Sequence, residues 1–145
     1  MTATKTVTPQ GIRIETDAWF LDWSNQMLDI TCKAEGPKHT RLCGDPHICT
    51  DGAPEMDFPS PTCTFILTDG TVVVADAPAA NQPLNDVHVF TDDAQHFALG
   101  ASTQFDDVYG TLFEQKDDGS FYGIVSRTVG TTNPNPVPKA YTDAA

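Results

Sequence analysis

A chain of 145 residues is long enough for one domain with a real core. Its 20 acidic and 8 basic side chains give a net charge of −12, which cannot neutralise a phosphate backbone and argues against a nucleic-acid partner. Multivalent cations are the natural counter-ions of such a surface, although acidity also serves plain solubility. No stretch approaches the length of a membrane span, and the opening "MTATKTVTPQ" lacks the apolar run of a signal peptide.

Residues 1–10 read as a flexible N-terminus and 11–130 as a β domain. "GIRIET", "AWFLDW" and "QMLDITC" read as three short strands, the middle one offering Trp19, Phe20 and Trp23 to a core. "CTFILTDGTVVVA" is the clearest hairpin. Its two β-branched runs flank Asp69-Gly70, and a two-residue turn there sets Thr68 opposite Thr71 and Phe65 opposite Val74. "DVHVFTDDAQHFALG" reads as a hairpin around Asp92-Asp93. "TLFEQKDDGSFYGIV" turns at Asp118-Gly119, between a strand through Phe113 and another through Tyr122 and Ile124. No segment holds a helical period. The expected fold is therefore all-β, a single antiparallel β-sandwich or roll built from hairpins. Pro134, Pro136 and Pro138 mark 131–145 as a Pro-rich tail.

"RLCGDPHICTDG" carries the chemistry. Asp-Pro commonly initiates a turn, and that is its default use. It is also the weakest ordinary link in a chain, because the Asp carboxylate can close a five-membered ring on its own carbonyl carbon. The proline nitrogen, a tertiary amide without N–H, is easier to protonate and expel than a secondary amide nitrogen. Cys32, Cys43, Cys49 and Cys63 include no Cys-x-x-Cys pair, so zinc is a weak reading despite His47 between two of them. Two disulfides and four thiols both remain open; Cys49 and Cys63, on either side of a proline-bearing loop, could meet if that loop folds back.

The arrangement "GDPHICTDGAPEMDFPSPTCTFILTDGTVVV" resembles the metal-ion-inducible autocleavage domains of some secreted bacterial effectors. The matching residues are Gly44, Asp45, Pro46 and His47, then Asp51-Gly52, Asp57-Phe58, and Thr64-Phe65 through Leu67, Asp69, Gly70 and Thr71. The likeness runs from Ile12 to Gly123. The tetrapeptide also occurs in von Willebrand factor type D domains, some of which are cut at Asp-Pro. This chain departs from the family pattern after His47, where Ile48 is followed by Cys49 and Thr50 and the next acid is Asp51.

The resemblance implies that Asp45 is the nucleophile on its own carbonyl, with Pro46 leaving as a new N-terminus. Gly44 lets the backbone bring the reacting atoms together, and His47 can donate the proton that the departing nitrogen needs. A disulfide from Cys43 or Cys49 would stiffen this loop. A divalent ion is implied, and hard oxygen ligands favour calcium; the nearest candidates are Asp51, Glu55 and Asp57, in a loop whose Gly52 permits a sharp turn. Their spacing is not that of an EF-hand. His39, His88 and His96 read as structural. Asp92, Asp93, Asp106, Asp107, Asp117 and Asp118 read as solvated turn residues. The expected function is a calcium-triggered, single-turnover self-processing domain, secreted or effector-like without a visible signal peptide. The alternative is a non-cleaving calcium-binding or partner-binding β module of a secreted or structural protein.

Overall fold

The computed structural model describes residues 3–43, 47–52, 54–58, 62–77, 82–91, 95–100 and 110–129. They form an all-β sandwich. The first sheet is a seven-stranded antiparallel meander whose strands are β1 (Thr4–Thr8), β2 (Gly11–Glu15), β3 (Trp19–Ser24), β4 (Met27–Cys32), β5 (Thr40–Cys43), β6 (His47–Thr50) and β7 (Met56–Asp57). The second sheet has six strands, β8 (Thr62–Ile66), β9 (Val72–Asp76), β10 (Asp86–Phe90), β11 (His96–Gly100), β12 (Gly110–Gln115) and β13 (Phe121–Val129). Its order is β11-β10-β9-β8-β12-β13. Neighbours in the first sheet follow the chain; in the second, β12 returns beside β8 and pairs with it in parallel, the one departure from an antiparallel plan. Among the described residues no helix is long and apolar enough to cross a membrane.

Period-two alternation decides which side chains enter the core. In the first sheet Ile14, Leu21 and Ile30 share one face, as do Leu28, Leu42 and Ile48, and all are fully buried. Opposite them lie Cys63, Phe65, Val73, Ala75, Val87, Val89 and Leu99 of the second sheet, in the same core cluster. Phe65 anchors it, stacked on Phe113 at 5.1 Å and edge-on to Phe121 at 5.3 Å between ring centroids. Strands β9 and β10 are buried on both faces, which explains the unbroken apolar run Val72-Val73-Val74-Ala75.

Three expectations require correction. Residues 4–8, assigned to a flexible N-terminus, form edge strand β1 and pair with β2 from Thr4↔Glu15 to Thr8↔Gly11. Alternating threonines with Val7 suit an exposed strand, even though Val7 buries little. Of the three aromatics offered to the core, Trp19 is buried and Trp23 packs against it, whereas Phe20 faces outward by parity. Its ring is covered instead by Arg13, whose guanidinium carbon lies 4.2 Å from the centroid. Finally, Phe65 pairs with Val73, one residue short of the expected Val74.

That slip comes from the turn. The hydrogen bond from Leu67 N to Thr71 O, 2.8 Å, encloses three residues, and Gly70 closes the loop at φ 90°. The β12–β13 connection repeats it, with Lys116 N bonded to Ser120 O at 2.7 Å and Gly119 at φ 91°. Both are three-residue hairpin loops closed by a left-handed glycine, where a two-residue turn was expected. Each also clips one sheet to the other. Asp69 Oδ2 accepts from Thr16 Oγ1 at 2.7 Å and from Ala18 N at 3.3 Å, and Lys38 N donates to Asp118 O at 2.6 Å. The β10–β11 hairpin is present as expected, closed by Thr91 N to Gln95 O, while Asp92-Asp93 and the tail 131–145 lie outside the described residues.

Candidate functional site

The outer face of the first sheet is polar, and its last three strands gather the side chains of interest. Strands β5 and β6 pair from Thr40↔Thr50 to Cys43↔His47, so the three residues between Cys43 and His47 connect the two strands. Those residues are Gly44, Asp45 and Pro46, three of the four expected reaction residues, and they lie outside the described residues; the fourth, His47, is described. On the core side the hairpin is held by buried Leu42 and Ile48 and by a buried Thr40–Thr50 hydroxyl contact of 2.8 Å. These fix the register, and with it the outward set Arg41, Cys43, His47 and Cys49.

His47 opens β6 and pairs with Cys43 on one side and Asp57 of β7 on the other. Its Nδ1 lies 3.7 Å from Glu55 Oε1 and 3.7 Å from Asp57 Oδ1. Two of the three expected metal ligands thus converge on one imidazole nitrogen. The chain reverses at Asp51-Gly52, with Gly52 at φ 69°, and this brings β7 back along β6. Asp51 itself faces a different histidine: its Oδ1 is 3.7 Å from His39 Nδ1, while Asp51 N donates to His39 O at 3.0 Å. Among the described residues no group of three or more His, Cys, Asp or Glu side chains is arranged to hold a metal ion.

Two features were not anticipated. The first is a row of charge beside the site. Asp29 accepts from Arg41 Nε and Nη2 at 2.6 and 3.0 Å and contacts His39 Nε2 at 2.8 Å. Burial works to raise the Asp29 carboxyl, but the hydrogen bonds from Arg41 and His39 outweigh it and hold the group below its usual value. The signal was one charged residue at an outward position in each of four successive strands, Arg13, Asp22, Asp29 and Arg41.

The second is the thiols. Cys43 Sγ and Cys49 Sγ stand 3.1 Å apart, and Cys49 Sγ lies 3.5 Å from Glu55 Oε1. Burial first, then the Cys43 thiol and the Glu55 carboxylate, push the Cys49 thiol up to about 12, so it stays protonated and can donate. The expected approach of Cys49 to Cys63 is not found: Cys63 is wholly buried on the inner face of β8, and Cys49 projects from the outer face of β6. No disulfide joins the four cysteines in this structure.

Elsewhere, His88 Nδ1 and His96 Nε2 are 2.8 Å apart across β10 and β11, and His96 stacks on Phe90 with 4.6 Å between centroids. A cleft of 490 Å³ between β1, β2 and β3 is lined by Thr6, Arg13, Glu15, Asp22 and Ser24 among others, and by none of the expected site residues. The chain matches no protein-family model, no curated protein and no solved structure.

Proposed function

We propose that this chain is a self-processing domain that cuts its own Asp45–Pro46 bond when calcium is present. The observation that carries the reading is the position of His47, adjacent in sequence to that bond, with its Nδ1 side flanked by Glu55 and Asp57. An Asp-Pro bond needs a carboxylate aligned on its own carbonyl, a proton for the departing nitrogen, and a frame that holds both. The pairing of β5 with β6, which bracket residues 44–46 in the sequence, supports such a frame.

In this reading an Asp45 carboxylate oxygen attacks the Asp45 backbone carbonyl carbon. A C–O bond forms, the C–N bond breaks, and the product is a five-membered cyclic anhydride. The electron pair stays on the Pro46 nitrogen, which takes a proton from His47 and leaves as a secondary amine. Water then opens the anhydride to restore Asp45, or a lysine amine captures it as an amide. The oxygen donors Glu55 and Asp57 suit a hard cation, with Asp51 the third acid of the same segment. Calcium bound there would supply positive charge close to the reacting carbonyl.

Incubation of the purified chain near neutral pH, with calcium or with a chelator, tests the proposal by intact mass. One fragment ending at Asp45 and another beginning Pro46-His47-Ile48 are expected in calcium alone. An unbroken chain after hours in calcium overturns self-processing and leaves a binding module.

A further inference from the structure

We propose that Cys43 and Cys49 form a redox modification site, a thiol pair that a low-molecular-weight disulfide converts into a cross-strand bridge over residues 44–46. The inference starts from register. Cys43 pairs with His47 and Cys49 with Arg41, so the two cysteines are diagonal neighbours on the outward face of one hairpin. Their sulfurs are 3.1 Å apart, and a disulfide needs about 2.05 Å, a gap that side-chain rotation can close. Neither is fully buried, so an oxidant can reach them. The remaining thiols are placed differently: Cys63 lies wholly within the core, and Cys32 packs against the core, where it pairs with Trp19. Of the three ways to pair all four cysteines, only the one that contains a Cys43–Cys49 bond uses a contact already present.

The oxidation balances with glutathione disulfide as the oxidant. The Cys43 sulfur, giving up its proton, attacks it and expels glutathione; the Cys49 sulfur, giving up its proton as it attacks, displaces the second glutathione from that mixed disulfide. Both cysteine protons end on the two glutathione thiols, so the protein pair is oxidised and the glutathione disulfide reduced.

The consequence, which rests on the self-processing reading, concerns the products. Cys43 belongs to the fragment ending at Asp45 and Cys49 to the fragment beginning at Pro46. In the oxidised protein the cut chain stays covalently joined, and reduction is the step that frees the halves from the covalent tie.

The bridge is tested without relying on self-processing. Asp45–Pro46 is the only Asp-Pro bond in the sequence, and dilute acid splits such bonds in denatured protein. Wild type in chelator is equilibrated with glutathione disulfide, alkylated, denatured and acid-cleaved. The expected result is an intact mass lower by two hydrogens before alkylation, and two fragments that separate only after reduction. Cys32→Ser and Cys63→Ser should keep the linkage and Cys43→Ser should lose it. Fragments that separate without reducing agent, or a linkage that survives Cys43→Ser, overturn the inference. The same oxidised protein is then given calcium. Linked fragments there support both readings; an uncut but bridged chain that cuts in calcium once reduced leaves both standing, and one that stays uncut in calcium after reduction removes self-processing while leaving the redox site standing.

Discussion

His47 and Asp57 face each other across β6 and β7, with Nδ1 3.7 Å from the carboxylate Oδ1. The pairing makes Asp57 the acid whose loss should be felt most if calcium binds at the proposed site. A ligand that binds only the native state raises its melting temperature, by the equivalent of about 2.7 kcal/mol at a hundred times its dissociation constant. In Asp45→Ala, which lacks the proposed nucleophile, millimolar calcium should therefore raise Tm. Adding Asp57→Ala should remove the shift and adding Asp106→Ala should keep it. The reverse ranking, read by scanning calorimetry, moves the site to the later acidic segment.

The rate of cutting separates the chemical roles. Asp45→Asn should abolish prompt cleavage, because a nearly isosteric amide is no nucleophile. Pro46→Ala should slow it strongly by restoring a secondary amide, a poorer leaving group. His47→Ala should cost roughly two to four orders of magnitude if the ring delivers the proton. A rate within a few-fold of wild type, followed by intact mass, would reduce His47 to shaping the hairpin.

Gly119 lies beside one of the two clips between the sheets, the bond from Lys38 N to Asp118 O. At φ 91°, a Cβ built there would sit 2.5 Å from Lys38 O and 2.6 Å from Lys38 N. Gly119→Ala combines a strained backbone with a clash against main chain that cannot swing away, and should cost about 2–4 kcal/mol. Chemical denaturation checks this. An Ala variant within experimental error of wild type would mean that the clip opens at no cost.

The His88–His96 contact should make stability sensitive to mild acid. One hydrogen bond of 2.8 Å between two ring nitrogens needs one to donate and the other to accept, so it does not survive protonation of both. Burial lowers His88 and His96 below the ordinary 6.5; His96 lowers His88 further, against Asp86 and Asp76, which act to raise it. The unfolded chain therefore binds protons first. The stabilisation is complete above about 6.5 and is lost as pH falls from there through the lowered native values. Tm should drop between pH 7 and pH 5, and His96→Gln should flatten that drop; an equal slope in the variant would place the acid sensitivity elsewhere.

The strand run from Gly11 to Cys32 was legible in its short β-branched and aromatic runs, and the three hairpins in such runs together with the Asp-Gly and Asp-Asp turns between them. Strand parity, read strictly, would have turned Phe20 outward. The one-residue slip at Phe65–Val73 was not legible, since Asp-Gly serves both two- and three-residue loops and only the pairing of the flanking strands selects one. Nor was the parallel join of β8 to β12, which depends on where the chain returns after β11. At the candidate site, the residue types were visible in "GDPHICTDGAPEMD", but their partners were not. Proximity in sequence grouped Asp51, Glu55 and Asp57 together and suggested Cys49 with Cys63. The register of β5, β6 and β7 assigned Asp51 to His39, Glu55 and Asp57 to His47, and Cys49 to Cys43. Local sequence sets which face a side chain takes; only pairing between strands decides what stands beside it there.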